Sequence, residues 1–187
     1  MTMLLIIKLI LFVVGTAGLA FLSRASLLQP RSHGFYRFFA FEAILALVLL
    51  NVEKWFRDPL SWNQLISWLL LVVSAFLAIH GVQLLRRLGK PDARRDETPM
   101  IGFEKTTSLV TAGAYRYIRH PLYSSLLCLA WGVFFKAPSW LGGLLALAAT
   151  LFLVATARVE EVEDVRFFGP AYEEYRKRTK MFIPFLF

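Results

Sequence analysis

The stretch SWLGGLLALAATLFLVATARVEEVEDVRFF, Ser139–Phe168, decides how this chain folds. Up to Ala157 it is long and apolar enough to cross a hydrocarbon core about 30 Å thick, and in lipid a spanning segment must be helical to satisfy its own backbone groups. The helical pattern then continues past the apolar part, interrupted only by Gly142 and Gly143. A helix of this length runs about 45 Å, more than the membrane requires. Its last three turns stand outside the bilayer and carry Arg158, Glu160, Glu161, Glu163 and Asp164. Gly169-Pro170 ends it in the expected way.

Four further apolar runs precede it, at about 3–22, 35–52, 65–85 and 122–135. The chain is 57% hydrophobic with a mean hydropathy of +0.57, far richer than a soluble domain. The expected fold is all-α, a polytopic membrane protein with about five transmembrane helices. Residues 1–85 hold three N-terminal spans and 86–187 a C-terminal core, the two forming one integrated domain. The fourth run is short, and Lys136-Ala137-Pro138-Ser139 after it reads as a tight turn, so the last two spans form a helical hairpin. The first run lacks the basic lead of a signal peptide and contains Lys8, so it is read as a span. Lys8, Glu42 and His80 are read as structural polar groups that need partners.

The formal net charge of +8 sits between the apolar runs, where anionic headgroups rather than nucleic acid meet it. The segment from Arg86 to Arg119 holds eight basic residues, the tail from Arg158 holds six, and the first loop holds Arg24, Arg31 and Arg37. These regions are expected on the cytoplasmic side, with the N-terminus outside. Cys128 is the single cysteine and lies within an apolar run, so neither a disulfide nor a cysteine metal site is available, and no metal is expected.

The polar stretch from Gly89 to Ile118 is long for a passive connection. Its first half, with Lys90, Arg94, Arg95, Asp96 and Glu97, reads as solvated. Its second half mixes apolar and polar residues and leads into Tyr115-Arg-Tyr-Ile-Arg-His-Pro-Leu-Tyr123. Pro121 suits the first position of a helix, with His120 at the cap. The free N–H groups and the positive end of the helix dipole favour an anion there. Taken alone, the stretch reads equally well as a basic aromatic belt at the headgroups. The hairpin brings the acidic end of the long helix back beside His120, facing a cationic pocket. Glu160 and Glu161 are about 100° apart on a helix, so one of them is expected to point into that pocket. Glu163 and Asp164 are expected on a solvated face. Ala171–Lys180 reads as a short amphipathic cytoplasmic helix, and Phe182–Phe187 as an apolar end that dips into the interface.

The ordered set LVTAGAYRYIRHPLY, hairpin, Glu160-Glu161, FGPAYEEYRKR and FIP, from about Thr106 to Pro184, resembles the isoprenylcysteine carboxyl methyltransferase and phospholipid methyltransferase superfamily. The three N-terminal spans match it by hydropathy alone. The resemblance implies an integral membrane methyltransferase that uses S-adenosylmethionine and acts on a lipophilic acceptor: a small molecule, a lipid or a lipidated peptide. Carried across by position, it implies cofactor contacts at Thr107, Ser108, Leu109, Val110, Tyr115, His120, Pro121, Leu122, Tyr123 and Glu160, with Glu161, Arg158 and Tyr123 as catalytic candidates. Where the prenylcysteine enzymes place an Arg for the substrate carboxylate, this chain has Thr156. That departure loosens the acceptor rather than the methyl transfer. Two other readings stand beside it, a sterol-reductase-like oxidoreductase using NADPH and a non-catalytic membrane protein.

Overall fold

The structure, a computed structural model, describes residues 2–92 and 102–186. Arg94, Arg95, Asp96 and Glu97, read above as solvated, lie outside the described residues, as do Met1 and Phe187. The described residues are helical: α1 (Thr2–Leu22), α2 (Arg24–Leu27), α3 (His33–Asn51), α4 (Trp62–Leu88), α5 (Pro121–Phe134), α6 (Trp140–Phe168) and α7 (Pro170–Arg178). Short 3-10 turns occupy Val52–Lys54, Gly102–Glu104 and Gly113–Arg116.

Four helices, α1, α3, α4 and α6, are long and apolar enough to cross a membrane. The expected fourth span, α5, is shorter, 14 residues. At 1.5 Å per residue it reaches about 21 Å, some 9 Å short of the hydrocarbon core. Lys136 to Ser139 close the α5–α6 hairpin, and Ser139 caps α6 by accepting from Gly142 N at 3.1 Å. α5 therefore starts recessed from the other membrane face, while α6 continues past it.

Packing follows the small residues. α3 lies along α6 and α4 along α5. Between them Ala43, Ile44 and Leu47 meet Ala130, Val133, Ala146 and Ala149. Without a hydrophobic drive in lipid, such small side chains let backbones approach and gain dispersion contact. α1 leans on α3, with most of its apolar side chains exposed toward lipid. Lys8 Nζ meets Glu53 Oε1 at 2.5 Å, and Thr16 Oγ1 donates to Glu42 Oε2 at 2.7 Å, while Glu42 Oε1 is buried without a hydrogen bond. His80 stacks on Phe76 and packs against Gly113. A Cβ at Gly113 would come within 2.5 Å of His80 Nε2, and its φ of +58° already demands glycine.

The segment after α4 folds back on the helix end. Gly89 O accepts from Thr107 N at 2.9 Å and from Ser108 N at 3.0 Å, and Asp92 N donates to Lys105 O. On the other side of the recess the C-terminal segment pairs with the approach to α5. Lys180 N donates to Tyr117 O, Arg119 N to Lys180 O and His120 N to Met181 O. Phe182 is buried with Tyr123 and Leu153, so the end read as dipping into the interface begins inside the protein core.

Candidate functional site

Pro121 occupies the first turn of α5 and His120 its N-cap, as the sequence predicts. The imidazole makes no capping bond to the helix. It turns instead toward α6, where it is buried between two carboxylates. Nδ1 lies 3.3 Å from Glu160 Oε2 and Nε2 lies 3.4 Å from Glu161 Oε1. One glutamate alone, Glu160, lines the cleft, as the helix periodicity leads one to expect, yet the imidazole touches both. A flat ring with a nitrogen on each edge reaches both neighbours despite their angular separation.

The two glutamates are used differently. Glu161 is tied outward: Arg119 Nε donates to its Oε1 at 2.6 Å, and Arg176 lies 3.8 Å from Oε2. Arg119 also donates to Thr179 O, which ties the C-terminal segment to the start of α5. Glu160 faces a cleft whose lining includes Leu109, Val110, Tyr115, Leu122, Tyr123 and Tyr172. Burial alone would lower the pKa of His120, but the Glu160 and Glu161 carboxylates raise it to about 9. His120 is thus an imidazolium at neutral pH. Tyr123 Oη, His120 Nε2 and Glu160 Oε2 are buried here without a regular hydrogen bond, although the ring nitrogen and the carboxylate oxygen lie within ion-pair distance of Glu161 and His120. Such atoms are costly unless something else satisfies them.

The cleft gathers most of the residues carried over from the resemblance: Leu109, Val110, Tyr115, His120, Leu122, Tyr123 and Glu160. Thr107 points away, its Oγ1 donating to Lys90 O at 2.8 Å, and neither it nor Ser108 lines the cleft. Pro121 is fully buried behind it. Arg158 lies on the opposite side of α6, in a different groove.

Sequence reasoning missed Glu104, Thr106, Asp164, Tyr172 and Tyr175, all of which line the cleft. Asp164 was expected on a solvated face. Glu163 was too, yet it is half-buried, with Oε1 accepting from His33 N and Oε2 2.6 Å from His33 Nδ1. Arg37, counted above as a loop cation, is buried on α3 and donates through one nitrogen to both oxygens of Glu104 at 2.6 and 2.7 Å. That pair pins the cleft's loop wall to α3. Tyr175 Oη donates to Tyr115 O at 2.6 Å and fixes the opposite wall. The only sequence signal for these contacts was an arginine next to an apolar run.

An apolar helix bundle enclosing a recessed, charge-matched cleft at one membrane face is the arrangement of a membrane-embedded transferase family. Residues 62–171 match the model of the phospholipid methyltransferase family, and the chain belongs to that family. It is 28% identical over 122 residues to the methanethiol S-methyltransferase of Crocosphaera subtropica, covering 65% of this chain and 44% of the relative. The methanethiol S-methyltransferase of Pseudomonas deceptionensis is 31% identical over 123 residues, covering 65% of this chain and 43% of the relative. The protein-S-isoprenylcysteine O-methyltransferase of Homo sapiens is 29% identical over 150 residues, covering 76% and 52%. The chain spans about half the length of these curated relatives. No solved structure matches it.

Proposed function

We propose that this chain transfers a methyl group from S-adenosylmethionine to a lipophilic acceptor in the cleft at the start of α5. The observation that carries the reading is His120 held between Glu160 and Glu161 at the wall of the cleft, with the Glu160 carboxylate and the Tyr123 hydroxyl buried there without a regular hydrogen bond. The fit to the donor is chemical. Groups of both signs line the cleft, Glu104, Glu160 and Asp164 with Arg119 and His120, which suits a ligand carrying both an amino group and a carboxylate. Glu160 would hold its amino group or a ribose hydroxyl, and His120 with the N–H groups at the start of α5 its carboxylate. Leu109, Val110, Leu122 and Tyr115 supply the apolar and aromatic wall. Burial raises the Tyr115 phenol well above its ordinary pKa, so it contributes as a neutral ring.

When bound, S-adenosylmethionine supplies a methyl group already activated on a sulfonium. The protein's task is then alignment and exclusion of water more than acid–base chemistry. α7 and the C-terminal segment supply the cover, through Tyr172 and Tyr175 at the cleft and Phe182 beside the His120 ring.

The charge pattern narrows the acceptor. Thr156, at the position where a substrate-carboxylate Arg was expected, is fully buried and donates to Phe152 O at 2.7 Å. Among the described residues both cations lining the cleft are already matched by carboxylates. With His120 and the start of α5 given to the carboxylate of the donor and Arg119 held by Glu161, a carboxylate acceptor would find no further cation, whereas a neutral lipophilic thiol would meet no penalty. A thiol must lose its proton, and a charged His120 cannot take it at neutral pH. Glu161 and Arg119 act as positioning residues. By the charge distribution the cleft faces the cytoplasm, with the N-terminus outside.

The test is radiolabelled methyl transfer from S-adenosylmethionine into separate pools of lipophilic thiols, carboxylates and extracted lipids. Label in the thiol pool is expected. Label confined to carboxylates would overturn the acceptor assignment, and saturable NADPH binding with no S-adenosylmethionine binding would overturn the reaction.

A further inference from the structure

α6 presents two chemically different sides at the same membrane boundary. Glu160 and Asp164 line the cleft. Arg158, Val162 and Arg166 recur every four residues and so form one stripe along a different side of the helix. With Gln29, Pro30, Arg31 and Ser32, which join α2 to α3, this stripe lines a separate groove.

Three exposed guanidinium groups, from Arg31, Arg158 and Arg166, converge on this groove, and none pairs with a carboxylate among the described residues. One carboxylate lines it, Glu163, and both of its oxygens are engaged by His33. The cations therefore repel one another with their nearest acid already committed elsewhere. The rest of the lining is polar at Gln29 and Ser32 and apolar at Pro30, Val159 and Val162, and nearby Leu28 is 83% exposed. A solvated cationic face has no use for an apolar lining, and a soluble anion has none either. A phospholipid matches both, because guanidinium groups bind phosphate oxygens through paired N–H donors while the glycerol and upper acyl chain need apolar contact.

We propose that this groove is a binding site for an anionic phospholipid, its phosphate on Arg31, Arg158 and Arg166 and its upper acyl chain on Val159 and Val162. The site is distinct from the methyl-transfer cleft, with which it shares no lining residue. A lipid seated there links the α2–α3 connection to α6 and so reinforces the contact that holds His33 against Glu163.

The test compares unfolding midpoints of the full chain in nanodiscs of phosphatidylcholine with and without phosphatidylglycerol. The variants are Arg31→Gln/Arg158→Gln/Arg166→Gln and, as a control of equal charge loss, Arg86→Gln/Arg87→Gln/Arg116→Gln. Phosphatidylglycerol is expected to raise the midpoint of the parent and the control by about 3 °C, and to leave the groove variant unmoved. Native mass spectrometry is expected to find phosphatidylglycerol retained by the parent and lost from the groove variant. The single variants Arg158→Gln and Arg166→Gln, each expected to lose part of the gain, decide the matter in the same way if the triple variant does not fold. Three results would overturn the proposal: an undiminished gain in the groove variants, an equal loss in the control, or the same gain from inorganic phosphate in pure phosphatidylcholine.

Discussion

Two cations are buried at opposite ends of the α5–α6 hairpin, and the protein satisfies them in opposite ways. Lys136, at the turn, is 2% exposed and has no carboxylate beside it among the described residues. Its ammonium donates to Gln64 Oε1 at 2.9 Å and sits 3.3 Å over the Trp68 ring. Gln64 in turn donates to the Lys136 carbonyl, which ties α4 to the turn. Burial lowers the Lys136 pKa, and an amide and an indole hold the charge instead of an acid. His120, at the recessed end, has the reverse arrangement: two carboxylates, a raised pKa and an open cleft beside it. A buried cation that is closed in by amide and aromatic groups is a fastening. One that is shared between two acids beside open volume is a site.

Removing the cation at the site end should have the largest effect. His120→Asn leaves Glu160 without its nearest counter-charge while Glu161 keeps Arg119, and breaking a buried pair costs about 3–5 kcal/mol. S-Adenosylmethionine binding should fall by more than about 100-fold and the unfolding midpoint should drop, read by calorimetry on the detergent-solubilised protein. Unchanged values in both would remove the distinction between the two ends. Next comes the loop wall. Arg37→Gln leaves Glu104 without its guanidinium, and donor affinity should weaken about 10-fold, the scale of a charged hydrogen bond, while Arg37→Lys should restore part of it.

The pH dependence sharpens the same contrast. A histidine whose folded pKa is raised contributes stability that is complete below its ordinary value near 6.5 and is lost as pH climbs through about 9. The midpoint should therefore fall between about pH 7 and about pH 10, and this fall should shrink in Glu160→Gln/Glu161→Gln. A profile identical in parent and variant would show that His120 is not charged in the folded protein. The smallest effect on the site belongs to the other end. Lys136→Met should lower the midpoint by about 2–4 °C for a loss near 1 kcal/mol, with donor affinity unaltered within about 2-fold.

The contrast also explains how much could be read in advance. Spans announce themselves through local composition, so α1, α3, α4 and α6 and the short α5 stood out from apolar length alone. The His120-Pro121 cap and the adjacent glutamates were legible because helix starts and helix periodicity are local rules. What stayed hidden depends on which helices become neighbours. Glu163 looked solvated because nothing near it in sequence is its partner; His33 is 130 residues away. Arg37 looked like a loop cation because Glu104 lies 67 residues on. The shared imidazole escaped notice for a geometric reason, since a helical-wheel argument describes where glutamates point and not how far a ring across the gap can reach.

The most direct test of the account is titration of S-adenosylmethionine into the purified chain and into Glu160→Gln, a substitution that keeps the shape and removes the charge. The account predicts saturable binding by the parent and a Kd about 100-fold higher in the variant, with the variant still folded by its unfolding midpoint. Equal affinity in the two, in protein that is folded, would contradict it.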